Sequence, residues 1–191
     1  RKVDCGKDVE GWEKELVGSI DDVGSQDSLR GIEGNVAKEF FGLYFEPIGW
    51  MRRMPRAKPD TANLLMDIGY TMLFNFVDSL LRLYGFDIYK GCYHKLFFQR
   101  RSLACDIVEP FRSVIDREVL KMYTLGKIDE KDFKVKDRAY SLSFVNSQKY
   151  AGVFLEVIMK NREQIYKYVQ GFYRFVMNGE ENAFPEFKIS R

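Results

Sequence analysis

The chain has 191 residues, enough for one domain or one domain with a short appendage. Hydrophobic residues make up 46% and Phe, Tyr and Trp together 15%, so an aromatic-rich core of normal size is expected. A formal net charge of +2 excludes an indiscriminate polycation. Three cysteines (Cys5, Cys92, Cys105) are too few and too odd for a disulfide scaffold, which points to a reducing, cytoplasmic setting.

In chain order, Leu29, Ile32, Val36, Phe40 and Leu43 step by three and four, the spacing of one helical face. A Pro- and Arg-rich connection, Pro47 to Pro59, follows. Asp60 then reads as an N-cap and Gly85 as the stop of a long helix. Its apolar stretch, Ala62 to Phe86, is interrupted by Asp67, Asn75, Asp78 and Arg82, so it predicts a buried amphipathic helix and no membrane partner. Ser102 is expected to cap a third helix running to about Leu125, with Gly126 beyond it. A fourth should open at Ser147 and run to about Met177. Residues 127–138 read as a charged loop, and Tyr140 to Asn146 as a possible short strand near 140–146. The expected architecture is all-α: one helical domain over residues 1–178 and a tail over 179–191.

Several polar residues stand where polarity is costly. Glu33 lies in a row with Ala37 and Phe41 at the edge of an apolar stripe, where a carboxylate is half desolvated unless a cation meets it. Gly31 and Gly34 bracket it, each costing about 1 kcal/mol against alanine, which predicts a close backbone approach; the other reading is a solvated glutamate on a flexible helix start. Asp106 and Glu109 share a helical face at i, i+3 and repel unless a cation or water lies between them. Pro110 follows, and its missing N–H should kink the helix beside the pair or turn the Asp106 carbonyl outward. His94 is the single histidine, either structural or a ligand; with carboxylates it would suit Mg²⁺ or Mn²⁺. Cys92 and Cys105 stand close to these residues, yet no C-x-x-C pair exists and zinc spacings are absent. No G-x-S-x-G, P-loop or G-x-G-x-x-G appears.

Basic residues cluster at Arg52, Arg53, Arg56 and Lys58, and again at Lys90, Lys95, Arg100 and Arg101, as either a phosphate footprint or solvated loops.

Three blocks resemble the C-terminal catalytic domain of the CRISPR-associated spacer-acquisition integrases, the Cas-one family: LRGIEGNVAKEFF (Leu29 to Phe41), KPDTANLLMDIGYTMLF (Lys58 to Phe74) and GFDIYKGCYHKLFFQRRSLACDIVEPFR (Gly85 to Arg112). Gly85-Phe86-Asp87-Ile88 stands where that family often has Gly-Leu-Asp-Pro. The resemblance implies metal ligation by Glu33, His94 and Glu109, with Asp106 as the supporting acid of a four-residue catalytic set. Asn63, Tyr70 and Arg112 would support the ligands from behind. Arg52, Arg53, Arg56, Lys95, Arg100 and Arg101 would grip double-stranded DNA, both the fragment to be inserted and the CRISPR repeat. The implied reaction is metal-dependent attack of a DNA 3′-hydroxyl on a phosphodiester; the alternatives are a nuclease that uses water, and a non-catalytic helical binding or assembly module. The family's N-terminal β-domain has no room here, so the expectation is a naturally short form or a piece of a longer, for example reverse-transcriptase-fused, protein. A homo-oligomer is expected because two DNA ends need two sites, with Tyr166, Tyr168, Phe172, Tyr173 and Phe175 as contact candidates. The Cas-two partner is left open.

Overall fold

The computed structural model describes residues 24–50, 52–55, 57–179 and 183–187. Arg56 and Cys5 therefore lie outside the described residues. The chain divides into two compact units, residues 1–53 and 54–191.

In the first unit, helix α1 spans Gln26–Tyr44. Ser25 caps it: its Oγ accepts the Ser28 N–H at 3.2 Å, satisfying one of the donors a helix start leaves open. The stripe Leu29, Ile32, Val36, Phe40 and Leu43 is half-buried throughout, as the periodicity predicts. Aromatic residues close the far end. The fully buried Phe45 packs on Trp50 at 5.0 Å between centroids, and Phe41 meets the same indole edge-on at 5.6 Å.

The second unit is a helical bundle around α2, Thr61–Leu83. Asp60 is its N-cap, accepting the Asn63 N–H at 2.7 Å, and Gly85 (φ 78°) is its stop. This helix is long and apolar enough to cross a membrane by length and composition, but it packs against every other helix of the unit. Leu65, Met66, Leu73, Val77 and Leu81 are wholly enclosed. At Gly69 three helices meet: a Cβ there would lie 2.5 Å from Ile115 Cγ2 and 3.1 Å from the Phe154 ring. Gly69→Ala should therefore destabilise the chain by about 1–3 kcal/mol through overpacking, despite alanine's better helix propensity. Urea titration should show a lower midpoint; an unchanged or higher midpoint would mean that Phe154 repacks freely.

The expected third helix is interrupted where Pro110 predicts. Helix α3 spans Ser102–Val108, a 3-10 turn takes Glu109–Phe111, and α4 runs Arg112–Thr124. Ser102 does not cap by its side chain; it is buried and donates to the Lys95 carbonyl at 3.2 Å. The expected fourth helix is two: α5, Phe144–Lys160, and α6, Arg162–Asn178. Ser143, not Ser147, supplies the cap, and the break falls at Asn161. The Asn161 amide donates to the Val157 carbonyl at 2.8 Å, the local side-chain bond that competes with helix continuation.

A strand is found at Ala139–Leu142 (β2), paired antiparallel with Phe133–Lys136 (β1) through a turn at Asp137 and Arg138, both at positive φ. The β1 residues had read as charged loop. Their order comes from tertiary contacts: Phe133 packs on Tyr150, and Asp132 takes hydrogen bonds from Lys149 and Tyr150, each 2.7 Å.

The α6 rings expected to meet another subunit are mostly used within the unit. Phe172 and Tyr168 are buried, and Tyr84 and Phe86 cover Tyr173. Phe184 of the tail lies against Tyr168, Phe172 and Phe175, and Phe187 against Phe111 at 4.7 Å. Tyr166 alone of the five is classed as exposed, at 40%. The excess of rings is thus explained by their partners on the α2 end and the tail.

Candidate functional site

The site-bearing segment leaves α2 at Gly85 and is pinned to α3 by the Leu103 N–H on the Ile88 carbonyl, 2.9 Å. Between these anchors the chain wraps the Asp106 carboxylate. Oδ2 accepts the backbone N–H of Cys92 at 2.6 Å and of Tyr93 at 2.9 Å; Oδ1 accepts that of His94 at 3.2 Å and also bonds the His94 ring Nδ1. Burial alone would push the Asp106 carboxyl up, but these donors outweigh it and hold the group below the ordinary carboxylate range. An ionised carboxylate only accepts, so Nδ1 carries a proton towards Asp106. Nε2 is then the lone-pair or donor face of the ring.

Gly91 makes this wrapping possible. A Cβ there would lie 2.7 Å from Asp106 Oδ2, 2.7 Å from the His94 carbonyl and 2.9 Å from Ser102 Cβ. Only a residue without a side chain lets the turn close over the carboxylate.

Asp106 and Glu109, although three residues apart on one helical stretch, are held differently. The Asp106 side chain is 7% exposed, whereas that of Glu109 is 42% exposed on the 3-10 turn. Arg112 Nη1 donates to both Glu109 oxygens, each at 2.9 Å. The Arg112 guanidinium lies 4.4 Å over the Tyr70 ring, whose hydroxyl donates to the buried Asp116. Burial works against the charge on Arg112, but Glu109, Tyr70 and Asp116 hold it protonated. Glu109, Arg112, Tyr70 and Asp116 thus form one connected series that sets the angle of the exposed carboxylate.

Asn63 anchors the start of α2. It is fully buried, accepts the Met54 N–H at 2.7 Å and donates to Asp60 at 2.8 Å, tying the incoming chain to the start of α2. Glu33 is exposed on α1, and a Cβ at Gly31 or Gly34 meets nothing within 4 Å. The half-desolvated glutamate and the close backbone approach expected there are not found. Gly31, Glu33 and Gly34 are all exposed on α1. Among the described residues no three His, Cys, Asp or Glu side chains gather as a metal-holding group. Within the second unit the reason is visible: Asp106 is turned to the loop, and Glu109 to Arg112.

Of the basic candidates, Arg52, Lys95 and Arg100 are exposed and Arg53 is half-buried. Arg101 is committed internally. It pairs with the buried Asp78 at 3.1 Å, lies 4.6 Å over the Phe74 ring, and shares Asp78 with Arg82. Asp78 had been read only as a break in an apolar stretch; a carboxylate on the buried face of α2 was the available signal that a nearby cation must answer it. The exposed Cys92 thiol is pushed up by partial desolvation and by the Asp106 charge.

A helical domain carrying an imidazole locked to a carboxylate, with an arginine-steered glutamate on the next turn, defines a class: proteins with an acid–imidazole polar centre on a bundle of helices. Residues 5–155 match the family model described as CRISPR associated protein Cas1, and the chain belongs to that family. It is 29% identical over 163 residues to a CRISPR-associated endonuclease Cas1 of Thermodesulfovibrio yellowstonii, covering 82% of this chain and 51% of that protein. It is 34% identical over 132 residues to one of Thermus thermophilus, covering 65% and 40%. Among solved structures it is similar to a casposase bound to integration product (TM-score 0.81, 22% identity, 93% of this chain and 56% of that one). It is also similar to a chain of a partial Cas6-RT-Cas1–Cas2 complex (TM-score 0.81, 25% identity, 93% and 58%). The chain spans about half the length of the curated relatives it matches.

Proposed function

We propose that this chain is the catalytic helical domain of a CRISPR spacer-acquisition integrase, in which the 3′-hydroxyl of a short DNA fragment attacks a phosphodiester at the edge of a repeat, forming a new P–O bond as the repeat strand's own 3′-oxygen leaves as a hydroxyl. The observation that carries the reading is the His94–Asp106 pair. Its Nδ1 is bonded to an ionised carboxylate, which leaves Nε2 as the ring nitrogen for a ligand, the arrangement seen where histidine binds a divalent cation. In this reading His94 Nε2 and Glu109, with Glu33 as the family resemblance implies, would hold Mg²⁺ or Mn²⁺, with Asp106 fixing the imidazole and Arg112 and Tyr70 setting the Glu109 carboxylate. When bound, that ion would polarise the scissile phosphate and offset charge on the attacking and leaving oxygens. Asp106 keeps the imidazole in one tautomer and one orientation. Arg112 fixes the orientation of the Glu109 carboxylate. Exposed Lys95, Arg100 and Arg52, with Arg53, would bind phosphates and set register without reading sequence. Joining both fragment ends needs two such sites, so the working form is at least a dimer. A Cas2 partner is proposed from the likeness to the chain in the Cas1–Cas2 complex, and a cytoplasmic location follows from the substrate.

The test is an assay with a labelled short duplex and a repeat-bearing plasmid, with Mg²⁺ or Mn²⁺ and with chelator. Branched product that needs the ion is expected. Shortened strands alone would make the chain a nuclease, and DNA binding with no product under any ion would make it a non-catalytic module. In the same preparation, Arg52→Ala with Arg53→Ala should lower the slope of log K against log salt by roughly 0.9 for each phosphate contact removed. An unchanged slope would assign that segment to solvent.

A further inference from the structure

Two residues beyond His94, three consecutive apolar side chains stand in solvent: Leu96 is 76%, Phe97 71% and Phe98 82% exposed. An aliphatic–aromatic triad so placed is unusual on a protein surface and marks a contact site. It is also presented on a formed turn. The Arg100 N–H bonds the Phe97 carbonyl at 3.0 Å, Gln99 adopts a left-handed φ of 56°, and Ser102 ties the base of the turn through the Lys95 carbonyl at 3.2 Å. The backbone that presents the rings is thus set before any partner arrives. On either side lie exposed cations, Lys95 and Arg100, whereas Arg101 is already paired with Asp78.

We propose that Leu96, Phe97 and Phe98 form a wedge that enters a base step of the duplex under attack, with Lys95 and Arg100 on the flanking phosphates. This rests on the function proposed above. The chemistry favours nucleic acid over a protein partner: the apolar tip is bracketed by cations and sits beside the histidine assigned to the chemistry. Leu and Phe are the side chains with which proteins part stacked bases and kink a duplex. Unstacking one step frees the backbone torsions of the phosphate beside it, and so lets that phosphate turn into line with an incoming hydroxyl. The wedge also carries sequence preference without a base-edge hydrogen bond. Flexible pyrimidine–purine steps should accept it more readily than stiff ones.

The experiment uses the 191-residue chain and duplexes carrying 2-aminopurine at successive steps around the insertion point. With the unaltered chain, fluorescence should rise severalfold at one step. Phe97→Ser with Phe98→Ser should remove the rise and weaken duplex binding roughly tenfold, the loss of about one stacking contact, while leaving the salt slope unchanged. Phe98→Trp should keep the rise, and so should His94→Ala, which separates the wedge from the chemistry. Duplex binding without a rise at any step overturns the wedge and leaves the proposed function standing. Failure of the unaltered chain to bind duplex overturns both. A rise confined to unpaired 3′ ends, or a double variant that keeps the rise but sediments as a smaller species, would likewise overturn it, assigning the triad to strand ends or to a subunit contact.

Discussion

Asp106→Asn should cost roughly a hundredfold in strand transfer while leaving duplex binding within about twofold, the range expected when the group orienting a ligand histidine is changed. The substitution keeps the size of the side chain and one oxygen. That oxygen will stay with the Cys92 and Tyr93 N–H groups, which supply the two shortest backbone bonds to the carboxylate. The amide nitrogen is then forced against His94 Nδ1. A donor facing Nδ1 selects the opposite tautomer, so the proton moves to Nε2 and the lone pair needed outward is lost. His94→Ala removes the ring altogether. Its effect should be larger, on the order of a thousandfold, because several kcal/mol of transition-state stabilisation convert at about 1.4 kcal/mol per tenfold. Single-turnover rates with bound DNA, alongside anisotropy measurements of affinity, check both. Equal and small losses in the two variants would mean that the imidazole serves only to hold the turn.

Gly91→Ala should damage both stability and chemistry, unlike an ordinary loop substitution. The added methyl would meet the Asp106 carboxylate, the His94 carbonyl and Ser102 at distances that real Cβ atoms do not show, all three on separate anchors. The carboxylate cannot retreat without losing its N–H donors, and Ser102 is buried at the start of α3. The turn must open instead. A loss of about 1–3 kcal/mol is expected from the overpacking. Strand transfer should fall at least as far as in Asp106→Asn, because His94 loses its position as well as its tautomer. Thermal unfolding and the strand-transfer rate together test this; a variant with wild-type stability and activity would show that the wrapping of Asp106 is incidental.

Much of the molecule was legible in its residues alone. Periodicity with Asp60 and Gly85 delimited α2, because capping and left-handed stops are local effects that depend on a few neighbours. Pro110 announced the break between α3 and α4 for the same reason: a missing N–H is a property of one residue. Family membership was legible too, in three blocks whose order and residue types survive without coordinates.

Tertiary structure decided the rest. Only the folded chain shows that Asp106 faces inward to the turn at Cys92, Tyr93 and His94 while Glu109 faces out to Arg112; i, i+3 spacing puts two carboxylates on one face but does not say what each will bond. That Arg101 answers Asp78 could not be read from spacing, since which cation meets a buried carboxylate depends on packing between helices. Glu33 looked half-buried, yet the structure leaves it exposed, because an apolar stripe gives a face and not its cover. The strand at Phe133–Lys136 and the tail's rings over α6 were invisible for a related reason. Short segments with weak intrinsic preference are ordered by the distant side chains they meet, and sequence spacing carries no record of those meetings.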